Sequence, residues 1–230
     1  MLKLENVSKT YSRGDETIVA LQSTSLEIGA GEFVAVVGQS GSGKTTLLSM
    51  LGGMLAPSEG RIYVGGQSLY DMSAAERAEI RCKTIGFVFQ AFNLVPYLSA
   101  LENVQMPLML SGFDMVAQCR VATDLLGRVG LESRLHHKPS ELSHGQQQRV
   151  ALARTLANDP TVILADEPTG NLDPGSRHQI LGLLEGFHEE GRTVIMVTHD
   201  PVAAARASRS FTLSEGIVQT AIISDSEKAA

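Results

Sequence analysis

A chain of 230 residues with 43% hydrophobic and 19% charged side chains has the composition of an ordinary globular protein. Its formal net charge of −6 excludes a general attraction for nucleic acid or anionic lipid, so no nucleic-acid partner is expected and any phosphate chemistry must be local. Cys82 and Cys119 have no C-x-x-C spacing and read as reduced thiols, and no apolar run approaches the ~20 residues that cross a bilayer.

The opening MLKLENVSKTYSRGDET is charged throughout, unlike a secretory signal. The first third reads mainly as strands: LKLENV, then IVALQSTSLEI, then EFVAVVG, with Gly29 and Gly31 marking the turn before the last. FVAVV, TVILAD and TVIMVTHD are continuous apolar runs, as expected for strands buried on both faces, and helical patterns precede the later two. That alternation predicts an α/β core with a parallel sheet. Ser73 with Glu76 and Ser99 with Glu102 fit capping boxes that open helices. MVAQCRVATDLLGRVGL has helical spacing and ends at Gly130. Residues 91–141 therefore read as a helix-and-loop lobe inserted into the core. Asp173-Pro174 predicts a further helix to about Glu190, and the polar tail SDSEKAA is expected to fray.

VVGQSGSGKTT contains G-x-x-x-x-G-K-[ST] from Gly38 to Thr45, after a buried strand and before the helical TTLLSMLGG. Glycines 38, 41 and 43 let successive N–H groups turn inward around an anion, and the positive helix end adds to them. Lys44 is placed to reach the β- and γ-phosphates and Thr45 to ligate Mg²⁺, which makes this a nucleotide site. Asp166, closing TVILAD, is placed to hold the Mg²⁺ shell directly or through water. Glu167 follows at once and is placed to polarise the water attacking the γ-phosphate.

In ELSHGQQQRVALARTLAND, Ser143 and Gln146 fit a capping box, with Val150, Ala153 and Ala157 as a buried stripe. The segment either starts a helix and no more, or offers its N–H groups to an anion. Company decides. The Gly38–Thr45 loop, IGFVFQ ending at Gln90, LSHGQ at 142–146, ILADE at 163–167, NLD at 171–173 and His199 after MVT stand in the order and approximate spacing of the ATP-binding-cassette (ABC) ATPases, which this chain resembles along nearly its whole length.

The resemblance implies a P-loop NTPase with a RecA-like parallel-sheet core, an N-terminal antiparallel β-subdomain and an inserted α-helical subdomain. It implies one cassette over 1–230, with core and β-subdomain in 1–90 and 160–220 and the helical subdomain with its signature helix in 91–159. It implies ATP and Mg²⁺, with Gly38, Gln39, Ser40, Gly41, Ser42, Gly43, Lys44, Thr45 and Thr46 around the nucleotide. Thr45, Gln90 and Asp166 are implied at the metal, and Glu167, His199, Gln90 and Lys44 at the chemistry. Ser143, Gly145 and Gln146 are implied to face ATP held by the other copy of a head-to-tail homodimer. Tyr11 stands where the family has an aromatic that stacks on adenine; an ordinary strand aromatic is the other reading. Asp173 matches the loop that crosses the dimer interface, whereas His136 and His137 match nothing and read as solvated.

His144 departs from the family, which usually has glycine there. The side chain crowds the nucleotide, points to solvent, or adds a phosphate contact when protonated. FNLVPYLSALENVQMPL and ADEPTGNLD closely resemble the subgroup of macrolide-export, lipoprotein-release and cell-division ATPases. That implies a motor for export or for lipoprotein or lipid extraction, held at the cytoplasmic side of the membrane by an integral membrane permease that docks near Gln90–Leu110. A regulatory ATPase that controls an extracytoplasmic enzyme without transport is the alternative. The apolar run Phe92, Leu94, Val95, Pro96, Tyr97 suits a docking groove or packs within the lobe.

Overall fold

The computed structural model describes residues 1–14 and 16–221; the tail SDSEKAA lies outside them. Among the described residues two sheets form. In the first, β1 (Leu2–Arg13) pairs antiparallel with β2 (Glu16–Ile28) and with β4 (Glu59–Val64), which carries the short β5 (Gln67–Ser68). The second has the order β10-β9-β3-β8-β7-β6. Its strands β3 (Phe33–Val37), β6 (Ile85–Val88), β7 (Val162–Asp166), β8 (Thr193–Thr198) and β9 (Arg209–Ser214) run parallel, and β10 (Ile217–Ala221) returns antiparallel.

The continuous apolar runs have the cause expected of them: the central strands are covered on both faces. Successive side chains point to opposite sides of a strand. Phe33, Ala35, Ile163, Ala165, Val194 and Met196 fall in one buried cluster, and Val34, Val36, Val162, Leu164, Ile195 and Val197 in the other. Helix α1 (Lys44–Leu51) fills the second cluster through Leu47, Leu48 and Leu51, together with Leu2, Leu4 and Ile28 of the antiparallel sheet. The first cluster takes α3 (Ala100–Leu110), α4 (Met115–Arg128), α5 (His144–Thr155) and α6 (Pro174–Glu189).

Capping boxes open α2 (Ala74–Thr84) at Ser73, α3 at Ser99 and α5 at Ser143, and Asp173 caps α6, as read from sequence. Helix α6 stops one residue short of the expected Glu190. Ala157 is buried but lies beyond the end of α5, so it is not part of that helix's stripe. Sequence patterning does not separate β4, β5, β9 and β10, whose pairing depends on strands distant in the chain.

The parallel order brings distant motifs to one edge. Val37 aligns with Thr198, Asp166 with Val197 and Val88 with Ala165. The Gly38 loop, Gln90, Asp166, Glu167 and His199 therefore all emerge from the carboxyl ends of neighbouring strands, where open α/β sheets bind ligands.

Candidate nucleotide-binding and hydrolysis site

The loop between β3 and α1 leaves its strand with Gly38 N–H directed to Thr198 O at 3.4 Å, which ties it to β8. Gly43 caps α1 with φ at 103°, in the left-handed region, and a Cβ there runs into the backbone carbonyl of Ala20. Only glycine fits both demands. Lys44 is almost fully buried, and its ammonium donates to Gly38 O at 2.8 Å and Gln39 O at 2.9 Å. The Ser42 hydroxyl is buried without a protein partner. A glycine-rich turn at a helix N-terminus, a buried cation and an orphaned hydroxyl are the kinds of donor a phosphate requires.

Thr45 Oγ1 donates to Asp166 Oδ1 at 3.2 Å, so two hard oxygens meet at the foot of this loop. Burial raises the Asp166 carboxyl pKa above its ordinary value; the Thr45 bond opposes that, neighbouring Glu167 adds to it, and Lys44 counters it. A desolvated carboxylate beside a hydroxyl fits Mg²⁺, which takes one or two protein oxygens and completes its shell with phosphate and water. Among the described residues, no group of three or more His, Cys, Asp and Glu side chains offers an all-protein metal cage.

Glu167 has φ at 44°, unusual for a residue with a side chain. Its N–H donates to Val197 O at 3.0 Å and its carbonyl accepts from Gly170 N–H at 3.1 Å, bonds that hold the turn. The carboxylate is thereby placed between an ammonium and an imidazole: Oε1 lies 3.4 Å from Lys44 Nζ, and Oε2 lies 2.5 Å from His199 Nδ1. Gln90 joins the same group across Gly170, where a Cβ would stand 3.5 Å from Glu167 Oε2 and 3.6 Å from Gln90 Nε2. Lys44, Thr45, Gln90, Asp166, Glu167 and His199 thus form one constellation. It provides a carboxylate to take a proton, an imidazole to orient it and a cation to meet developing phosphate charge.

Ser143, Gly145 and Gln146 stand apart from it. Ser143 Oγ accepts from Gln146 N–H at 3.3 Å, and Gln146 Oε1 accepts from Ser143 N–H at 2.9 Å, so the capping box is complete within the chain. Gly145 is buried because α5 and α6 touch there: a Cβ at 145 collides with Ser176. The exposed His144 ring tilts toward Phe92, with centroids 5.9 Å apart. Tyr11 is exposed on β1 opposite Ile18, with the Lys9 ammonium 5.1 Å from its ring centroid.

Two features have almost no signal in the sequence. Gln148 is fully buried; its Nε2 donates to Pro168 O at 2.8 Å, directly after Glu167, and its Oε1 has no partner. Arg154, further along α5, reaches the loop after Gln90. The polar run QQQR inside a helix with a buried face is the one hint of either. In the opposite direction, Phe92 and Leu94, read as candidate docking residues, pack against the core, while Tyr97 is 74% exposed.

The fold and this constellation define a P-loop nucleotide-binding cassette. Residues 21–170 match the family model described as ABC transporter. The macrolide export ATP-binding/permease protein MacB of Hyphomonas neptunium is 48% identical over 98% of this chain, and an ABC transporter ATP-binding protein of Methanocaldococcus jannaschii is 46% identical over 94%. The first match covers 34% of that relative's length, so the chain spans about a third of it; the second covers 96%. A dimeric ATP-binding cassette in a post-hydrolysis state, bound to ADP and Pi, superposes with a TM-score of 0.90 at 45% identity, covering 95% of this chain and 97% of the other. The chain belongs to the ABC transporter family. It is an ATP-binding cassette with ATPase activity.

Proposed function

We propose that this chain is the energy-supplying subunit of a MacB-like export or lipid- and lipoprotein-extraction complex, working as a head-to-tail homodimer beneath an integral membrane permease. The observation that carries this reading is the near-complete match of the chain to the cassette of macrolide export ATP-binding/permease proteins. Among the described residues no helix is long and apolar enough to cross a membrane, and the membrane-spanning part is the permease we assign to the complex. The cytoplasmic side, where ATP is available, is the face we assign.

In the proposed site, Gly38–Thr46 surround the phosphates and Tyr11 stacks on the base. Thr45, Gln90 and Asp166 hold Mg²⁺, which supplies charge neutralisation at the phosphates. Glu167 accepts the proton of the attacking water, and His199, at hydrogen-bond distance, holds the carboxylate in place. Lys44 lies near enough to both the loop and Glu167 to exchange one for a phosphate oxygen. Ser143, Gly145 and Gln146 complete the pocket of the other copy, with the helix N-terminus directed at its phosphate. Dimeric cassettes among the structural neighbours support this arrangement.

The permease is proposed to seat a helix in an apolar groove of about 360 Å³ lined by Phe87, Phe89, Met106, Pro107, Leu110 and Arg154. This groove lies between β6 and the helices of residues 91–159, the segment we propose moves as a lobe against the core. The test is purification from membranes in the presence of Mg-ATP with Glu167→Gln. Recovery of a dimer with a stoichiometric permease, whose reconstituted vesicles move a hydrophobic or lipidated cargo when wild-type protein is used, meets the proposal. A monomer with full hydrolytic activity and no permease overturns it.

A further inference from the structure

The loop after Gln90 is strained and two helices hold it: Asn103 of α3 bonds the Val95 backbone at both N–H and O, and α5 takes the residues before it. Phe92 and Asn93 have φ at 56° and 49°, two successive non-glycine residues in the left-handed region. Such a backbone conformation is strained for a residue with a side chain and persists only where the surroundings enforce it. Local bonds are few: Phe92 N–H reaches Phe89 O at 3.3 Å and Asn93 N–H reaches Ala91 O at 2.5 Å. The enforcing group is Arg154. Its two terminal nitrogens donate to successive carbonyls, Nη1 to Asn93 O at 2.6 Å and Nη2 to Phe92 O at 2.8 Å.

No carboxylate accompanies it among the described residues; the guanidinium spends its charge on backbone oxygens. Burial lowers its pKa from the usual value, but a guanidinium stays charged in proteins. A planar fork on two carbonyls fixes both distance and orientation, which a single ammonium does not. The neighbouring Thr155 hydroxyl lies 3.0 Å from Phe87 O on the strand before Gln90 and 2.8 Å from Ala151 O of its own helix, and its one hydrogen serves either.

We infer that Arg154 is a positioning residue for Gln90: it clamps Phe92–Asn93 in the left-handed turn and so aims the Gln90 amide toward Glu167. The inference rests on the role proposed above for Gln90. Because Arg154 belongs to the helix opened by Ser143, the helix assigned to one copy's phosphate also sets the water-side geometry of its own chain.

The experiment compares Arg154→Met, Arg154→Lys, Gln90→Ala and the double variant Arg154→Met/Gln90→Ala in the full chain. ATP affinity by fluorescence titration and thermal melting check the fold. Expected is a kcat lowered by about ten- to hundredfold in Arg154→Met with ATP affinity nearly unchanged. Arg154→Lys should fall between wild type and Arg154→Met, and the double variant should be no slower than Gln90→Ala alone. Hydrogen exchange measured without nucleotide should rise in Phe89–Val95 and not elsewhere.

A double variant whose losses multiply overturns the inference, as does an Arg154→Met protein with wild-type kcat or with exchange raised throughout the core. If Gln90→Ala itself hydrolyses normally, the role of Gln90 is what fails. Should Arg154→Met not fold, Arg154→Lys carries the same comparisons.

Discussion

The edge of the parallel sheet and the start of α5 are built on opposite plans. At the sheet edge, Lys44, Asp166 and Glu167 are polar groups withdrawn from solvent whose bonds run to one another and to loop carbonyls, with the Ser42 hydroxyl left over. This region is electrostatically unfinished: two carboxylates and a cation lie within one small volume. At the start of α5, Ser143 and Gln146 satisfy each other, Gly145 is packed against Ser176, and the side chains of Ser143 and His144 face solvent. The capping of that region is closed within the chain. In the head-to-tail homodimer proposed above, the unfinished site of one copy meets the exposed helix end of the other.

Removing the proposed base tests the unfinished side most severely. Glu167→Gln keeps the bond to His199 possible but cannot accept a proton, so turnover should fall by about 10²–10⁴-fold in steady-state phosphate release. Gel filtration with ATP should then show an enlarged dimer fraction. Normal hydrolysis would place the base elsewhere.

The division between copies is probed by mixing. A heterodimer carrying Ser143→Arg in one subunit and Lys44→Ala in the other leaves one pocket with both lesions or gives each pocket one, depending on which helix serves which loop. In a composite arrangement, both lesions fall on the same pocket and the dimer keeps about half the wild-type rate. Activity reduced to background would instead assign each helix to its own chain's phosphate loop.

The packed side should respond as a core does. Gly145→Ala forces a Cβ onto Ser176 and should cost about 1–3 kcal/mol, the usual penalty for overpacking, or ~2–12 °C in Tm at this chain length. An unchanged melt would show that α5 and α6 yield freely.

The smallest effect has a defined sign. Burial raises the Asp166 pKa above its ordinary 3.8, so the folded protein binds more protons than the unfolded chain just above that value. Stability from this group falls as pH rises through that window and stays low at neutrality. Asp166→Asn should therefore melt slightly higher than wild type at pH 7 without nucleotide or metal. The gap should close as pH drops below the ordinary aspartate range, while Mg²⁺-dependent stabilisation is lost. A lower melt at pH 7 would mean that Asp166 is stabilised as the anion.

The local chemistry was legible residue by residue. Gly38, Gly43, Lys44 and Thr45 announce a phosphate loop because backbone conformation and spacing are local properties, and the capping boxes at Ser73, Ser99 and Ser143 formed as their spacing required. Asp166 and Glu167 were readable because two adjacent acids at the end of a buried strand are costly without a cation or a proton to balance them. Less was legible where a contact joins distant segments: the inward turn of Phe92 and Leu94, the Gln148–Pro168 bond and the Arg154 clamp carry no periodic signal.

What the sequence determined by itself is the list of parts: buried strands, capped helices, an anion-binding turn and the acids beside it, all set by side-chain period and local backbone preference. The tertiary structure alone decided their company. Parallel pairing of β3, β8, β7 and β6 carries Gln90, Glu167 and His199 to one edge, and the packing of α5 on α6 makes Gly145 a contact as well as a helix residue. Those outcomes depend on register and close approach between residues far apart in the chain, quantities that no local pattern encodes.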